Sequence, residues 1–206
     1  MPRMKTKPVI IIVVILAVIG AFYLFRWFLP VLDQEVPIPP RFQDNTNNMK
    51  LNSKAFTNGE FIPSKYTCDG KNVSPPLSIS KVPEETKSLV LIMDDPDVPK
   101  AVRPEGVFDH FVVYNIDPLL SEIGEGDAFG TTGLNGSGNA KYTGSCPPTG
   151  YQPTMHRYIF KLYATDLANL NFIKAPTKQE ILTAIKSHII AEAQLTGLYD
   201  RTKKVQ

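Results

Sequence analysis

From Val9 to Phe25 the chain reads VIIIVVILAVIGAFYLF, with no polar group beyond the Tyr23 hydroxyl. At about 1.5 Å per helical residue this run covers roughly 26 Å. Trp27, Phe28 and Leu29, with Arg26 snorkelling, extend it to the ~30 Å of a hydrocarbon layer. A run of this purity is out of place in a water-soluble domain, so residues 9–29 are expected to form a transmembrane anchor. Arg3, Lys5 and Lys7 make the end at residues 1–8 basic, which puts it in the cytoplasm and everything after Pro30 outside. A cleaved signal peptide is the rival, but its cleavage site favours small residues at the end of the apolar run. Here Phe22, Tyr23, Phe25, Trp27 and Phe28 stand there, and these suit an interfacial aromatic belt. The expected protein is therefore single-pass, with an extracytoplasmic domain.

Residues 30–48, with Pro37, Pro39 and Pro40 followed by a stretch rich in Asn, Asp, Gln and Thr, read as a solvated linker. The remaining segment, 49–206, is the size of one ordinary domain. Of 22 Lys/Arg and 20 Asp/Glu, five and three lie in residues 1–48, which leaves the domain balanced at 17 against 17. With no basic excess there is no source for counterion release, and nucleic-acid binding is excluded as the main role. Two cysteines are too few for a disulfide scaffold or a four-thiolate zinc site.

Within the domain, short runs rich in Val, Ile, Tyr and Phe stand between Gly/Pro/Asn/Asp clusters: 51–57, 88–93, 110–116 and 157–164. These predict strands, with Ser88–Met93 (SLVLIM) apolar enough to be central and buried on both faces. The implied fold is predominantly β with peripheral helices, two antiparallel sheets packed as a sandwich. Residues 124–150 hold eight glycines and two prolines; this stretch is expected to be irregular yet ordered by Phe129, Tyr142 and Tyr151. Thr177-Lys-Gln-Glu180 is a capping box. Ile181, Leu182, Ile185 and Ile189 follow at helical spacing, which predicts a helix from Thr177 with Gly197 as its stop.

Four clusters carry the chemistry: Tyr66–Leu77 (YTCDGKNVSPPL), Asp94–Pro99 (DDPDVP), Phe108–Phe111 (FDHF), and Tyr142–Pro148 (YTGSCPP) followed by His156-Arg157-Tyr158. Three carboxylates within four residues repel one another and need compensating partners. Pro96 and Pro99 end the strand and aim them. A strand-end aspartate facing the strand-end histidines His110 and His156 would make a small polar cavity whose N–H donors suit an oxyanion such as phosphate.

In their order and spacing these clusters resemble the phosphatidylethanolamine-binding proteins, also called Raf kinase inhibitor proteins, in their short bacterial and archaeal branch. The resemblance rests on YTCDGKNVSPPL, DDPDVP, FDHFVVYNI, TGSCPPTG and HRYIFKLYA and spans about residues 51–200. It implies a pocket lined by Asp95, His110, His156 and Tyr158, with Asp97 and Arg157 in support and Gly144, Cys146 and Pro147 forming a wall. Cys146 replaces a glycine common in animal members, which narrows the space beside the pocket. The ligands implied are phosphate-bearing small molecules or phospholipid headgroups. No cofactor and no resident metal are implied, and the function is expected to be non-catalytic. Some members also inhibit kinases or proteases, so capture of such a protein is the alternative.

Other readings of the same residues are weaker. For Asp94 and Asp97 the ordinary expectation is a solvated turn, and for His188 an exposed or structural role. Two histidines and a carboxylate invite a zinc hydrolase, but their spacing matches no compact metal motif. Ser74 and Ser145 lack the G-x-S-x-G context of an acyl-transfer nucleophile. Cys68 and Cys146 lie in loops outside the membrane, where a disulfide is permitted; a structural bridge is expected in preference to two buried free thiols.

Overall fold

The structure, a computed structural model, describes residues 49–203. The basic end 1–8, the apolar segment 9–29 and the linker 30–48 lie outside the described residues. Among the described residues no helix is long and apolar enough to cross a membrane.

Among the described residues eight strands form two antiparallel sheets. The smaller contains β1 (Lys50–Asn52), β2 (Leu77–Ser80) and β5 (Glu122–Ile123), in the order β1-β2-β5. The larger runs β6-β4-β3-β7-β8, from β6 (Thr131–Thr132), β4 (Phe108–Ile116), β3 (Ser88–Asp95), β7 (Met155–Thr165) and β8 (Ile189–Asp200). All eight residues of β3 are buried, because alternate side chains enter two different cores. Leu89, Leu91 and Met93 pack between the sheets with Leu51, Leu77 and Ile79. Val90 and Ile92 face the other way, against Ile181 and Ile185 of the helix α1 (Lys178–Ile185). Each such aliphatic side chain stabilises the fold by about 1.5–3 kcal/mol when fully buried.

The N-terminal end of α1 carries the expected capping box: the Glu180 carboxylate accepts from Thr177 N at 2.8 Å, and the Thr177 hydroxyl accepts from Glu180 N at 3.3 Å. Its C-terminal end departs from expectation. The helix stops at Ile185, and the residues read as its continuation form β8, the longest strand. From Ala191 onward the sequence alternates: Ala191, Leu195, Gly197 and Tyr199 turn inward, and Glu192 and Gln194 are exposed. That two-residue period overrides the helical spacing of the preceding isoleucines. The ladder to β7 runs from Met155↔Asp200 to Thr165↔Ile189.

Gly197 is thus not a helix stop but a point of close approach. Segment 59–62 runs along the outer edge of β8, with Gly59 N donating to Thr196 O at 2.7 Å, Ile62 N to Leu198 O at 2.8 Å and Leu198 N to Glu60 O at 2.9 Å. These bonds cover an edge that would otherwise be open to pairing. A Cβ at position 197 would collide with the Ile62 side chain and the Phe56 ring. Gly197→Val is expected to lower unfolding free energy by about 1–3 kcal/mol through overpacking, read as a drop in the urea midpoint with the m-value unchanged.

Two irregularities shape β4. Between Met93↔Phe111 and Asp94↔Asp109 the ladder skips, and His110 is the extra residue. A second skip lies near Asn115, whose φ is 54°. The Asn115 amide settles this turn by bonding both backbone groups of Leu170, at 2.7 and 3.0 Å.

Candidate functional site

The site is built where β3 ends. Alternation sends Asp95 to the face between the sheets and Asp94 to the helix side. Pro96, with no N–H to donate, ends the strand. Asp95 then holds its own turn, accepting from Asp97 N through Oδ1 at 2.8 Å. Its Oδ2 lies 2.6 Å from His156 Nδ1. The second imidazole nitrogen, Nε2, lies 3.0 Å from the Pro153 carbonyl oxygen. Both nitrogens face acceptors only, so both donate, and His156 is an imidazolium paired with a carboxylate. Burial alone pulls the His156 pKa down, but the hydrogen bond and charge of Asp95, with the Pro153 carbonyl and Asp97, raise it overall. His156 is 0% exposed and Asp95 3%.

His110 reaches the same face because of the bulge. An extra residue in one strand lets two successive side chains point to one side, so His110 joins Phe111 on the inner face. Its ring packs edge-on against Tyr158 at 5.1 Å and Phe108 at 4.7 Å between centroids. Nδ1 donates to Thr143 O at 2.7 Å, and Thr143 N returns a bond to His110 O at 3.0 Å. Burial lowers the His110 pKa, outweighing that carbonyl and the charges of Asp95, Asp109 and Asp94. The ring is therefore neutral with Nδ1 protonated and Nε2 carrying the lone pair. Burial thus favours the neutral form of His110, and the Asp95 pairing favours the charged form of His156.

Tyr158, fully buried on β7, brings its hydroxyl next to Asp95, Ser145 and the backbone of Cys146. Burial first, and the Asp95 charge second, hold that hydroxyl far above the usual phenol pKa. Among the described residues neither the Tyr158 hydroxyl nor that of the fully buried Ser145 makes a hydrogen bond of full geometry, close as Asp95 lies. Two orphaned donors side by side are costly, about 1–3 kcal/mol each.

The wall behind Ser145 is fastened to the 66–72 loop. Cys68 and Cys146 are disulfide-bonded. Cys68 N donates to Ser145 O at 3.1 Å, Gly144 N to Asn72 Oδ1 at 2.7 Å, and the Tyr142 hydroxyl to Tyr66 O at 2.7 Å. Gly144 has no room for a Cβ against Tyr66 O and Thr67 Cα, at 2.7 and 2.9 Å. Its N–H is taken up by Asn72, so Gly144 serves the wall by its backbone path. Pro147 is buried, whereas Cys146 is exposed and presents only its backbone to Tyr158.

Other expected residues take different places. Asp94 does not sit in a solvated turn: it is 5% exposed, with Lys161 Nζ at 3.2 Å and Lys178 Nζ at 3.6 Å, and Lys178 also pairs with Asp109. Asp97 accepts a two-pronged contact from Arg157, at 2.8 and 2.6 Å, plus Arg157 N at 2.9 Å. Arg157 holds the Asp97 carboxyl below its ordinary pKa, against some burial. The guanidinium itself is exposed, so Arg157 clasps the turn from outside the cluster. His188 precedes β8 and pairs with Asp166 at 2.7 Å, away from the site. Ser145 was considered from the sequence only as a nucleophile. Its position between the wall residues Gly144 and Cys146 was the available signal. Among the described residues no group of three or more His, Cys, Asp or Glu is placed to hold a metal ion.

Comparison with known proteins places this geometry in context. A family model described as phosphatidylethanolamine-binding protein matches residues 52–200. A UPF0098 protein of Chlamydia trachomatis serovar D is 47% identical over 154 residues, covering 74% of this chain and 99% of that relative. One from Methanothermobacter thermautotrophicus is 44% identical over 160 residues, with the same two shares. Among solved structures, a phosphatidylethanolamine-binding protein homolog of Chlamydia trachomatis superposes with TM-score 0.71 at 46% identity, over 75% of this chain and 99% of that one. Escherichia coli YbcL, described as a member of the mammalian family, gives 0.65 at 26% identity over 74% and 98%.

Proposed function

The chain belongs to the phosphatidylethanolamine-binding protein family, and from that premise we propose that the cluster around Asp95, His110, His156 and Tyr158 binds a phosphate-type oxyanion without catalysis. One observation carries this reading: the buried hydroxyls of Ser145 and Tyr158 lie beside each other and near Asp95, and neither makes a hydrogen bond of full geometry among the described residues. A phosphate oxygen would accept from both, and hydrogen bonds to a charged group are worth about 1.5–3 kcal/mol each. His110 adds a third donor at Nε2 once the anion's charge draws a proton onto it. Asp95 and His156 act as the rigid frame. Because His156 donates through both nitrogens, it is no general base, and Ser145 has no base bonded to it; this supports binding over hydrolysis.

The segment 9–29 serves in this reading as a membrane anchor, with residues 1–8 cytoplasmic and the domain outside. A linker of about twenty residues keeps the domain near a surface where phospholipid headgroups are concentrated. Those headgroups are the favoured ligands, and free phosphate shares their chemistry.

Full-length protein in phosphatidylcholine nanodiscs, titrated with inorganic phosphate or O-phosphorylethanolamine, is expected to show saturable shifts of the His110 imidazole resonances and a His110 titration moved to higher pH. Tyr158→Phe should weaken binding about tenfold by removing one charge-assisted bond. Unmoved His110 resonances, or equal binding by Tyr158→Phe, would overturn the reading. Preference for O-phosphorylethanolamine over phosphate would identify the headgroup as the source.

A further inference from the structure

A cleft of about 330 Å³ opens between β4, the 72–74 segment and the loop spanning 126–142. It shares no lining residue with the Asp95 cluster. Its volume lies at the lower end of the roughly 300–1,000 Å³ of small-molecule sites. The floor is apolar: Phe111 and Val113 from β4, with Phe129 and Tyr142 from the loop. Phe111 meets both loop rings edge-on, at 5.9 Å to Phe129 and 5.4 Å to Tyr142. Tyr142 sends its hydroxyl away to Tyr66 O, so its ring is what the cleft meets.

The polar groups are few and of opposite sign. Lys141 is exposed at the rim and makes no ion pair among the described residues. Asp127, also at the rim, uses Oδ2 to accept from Gly124 N at 2.8 Å, which leaves Oδ1 without a partner among the described residues. Ser74 is 95% buried yet lines the cleft, and its hydroxyl bonds to no other described residue. An anion alone would meet Lys141 but be repelled by Asp127, and a cation alone would meet the reverse. A ligand carrying both charges on one end of an apolar body satisfies all of these groups.

We propose that this cleft binds a small amphipathic zwitterion of the free α-amino acid class. The ligand's carboxylate meets Lys141 and the Ser74 hydroxyl, its ammonium meets Asp127, and its side chain lies on Phe111, Phe129 and Tyr142.

The test uses the full chain in phosphatidylcholine nanodiscs with labelled valine methyls, since Val73 and Val113 both line the cleft. L-phenylalanine is expected to move both methyl resonances saturably, whereas phenylacetate and 2-phenylethylamine, each lacking one charge, bind at least tenfold more weakly. Lys141→Met and Asp127→Asn should each weaken phenylalanine about tenfold. Ala128→Trp, at an exposed lining position, should abolish its binding, with dispersed methyl spectra showing the fold intact. Absence of a saturable shift, shifts retained in a folded Ala128→Trp, or a single-charge analogue binding as tightly as phenylalanine would each overturn the assignment. None of these readouts involves His110, so this proposal and the phosphate reading fail separately.

Discussion

Replacing Asp95 by Ala is expected to cost the domain about 3–5 kcal/mol of unfolding free energy, the cost of removing one member of a buried ion pair. His156 would remain 0% exposed, with one nitrogen facing the Pro153 carbonyl and the other facing nothing. A urea titration of Asp95→Ala against the parent checks the magnitude; a loss below about 1 kcal/mol would mean that the pair is not formed. The dependence on pH is equally diagnostic. The folded His156 pKa is raised above its ordinary 6.5, so its contribution is fully present below about pH 6.5 and is lost as pH rises through the folded value. His110 is lowered in the folded state, so its contribution is present above about pH 6.5 and is lost as pH falls through its folded value. Together they predict a stability maximum near pH 6.5. In Asp95→Asn the partner that raises His156 is gone and burial dominates, so the decline on the alkaline side should disappear. Thermal unfolding of both proteins between pH 5 and 9 measures this.

Cys68→Ser/Cys146→Ser is expected to lose up to about 4.5 kcal/mol, because the bridge spans 78 residues and constrains the unfolded chain over that whole loop. The site should suffer beyond the global loss. The bridge is one of several ties between the 66–72 and 142–148 segments, and it stands next to Ser145. Amide exchange should therefore accelerate first at Cys68 and Gly144, whose N–H groups bond across that seam. Uniform acceleration over the domain would show that the bridge acts only on the unfolded state.

The parts of this molecule that could be read in advance are those governed by local rules. SLVLIM announces a strand buried on both faces, and Thr177 to Glu180 announces a helix start, because each signal is complete within a few residues. The end of that helix was misread because Ile181, Ile185 and Ile189 share a helical stripe, although Ile189 already belongs to β8; the alternation that decides the matter begins only at Ala191. Asp95, His110, His156 and Tyr158 could be named from motifs, but their division of labour could not. Whether an imidazole is charged depends on Pro153, Thr143 and burial, none of which adjacency along the chain reveals. Asp94 shows the same limit: its partners Lys161 and Lys178 lie 67 and 84 residues away in the chain, and only the sheet and α1 bring them within reach.

The irregular pairing at His110 has a consequence for how such a chain tolerates change in length. Deleting that one residue would let β4 pair with β3 through Asp94 without the bulge, leaving only the irregularity near Asn115, and by backbone criteria the shorter strand would be the better strand. The ring beside Tyr158 would vanish with it, and Thr143 would lose the contact that seats its loop. A frame of pairing that improves when a residue of the candidate site is removed marks where selection for chemistry and selection for stability would pull apart.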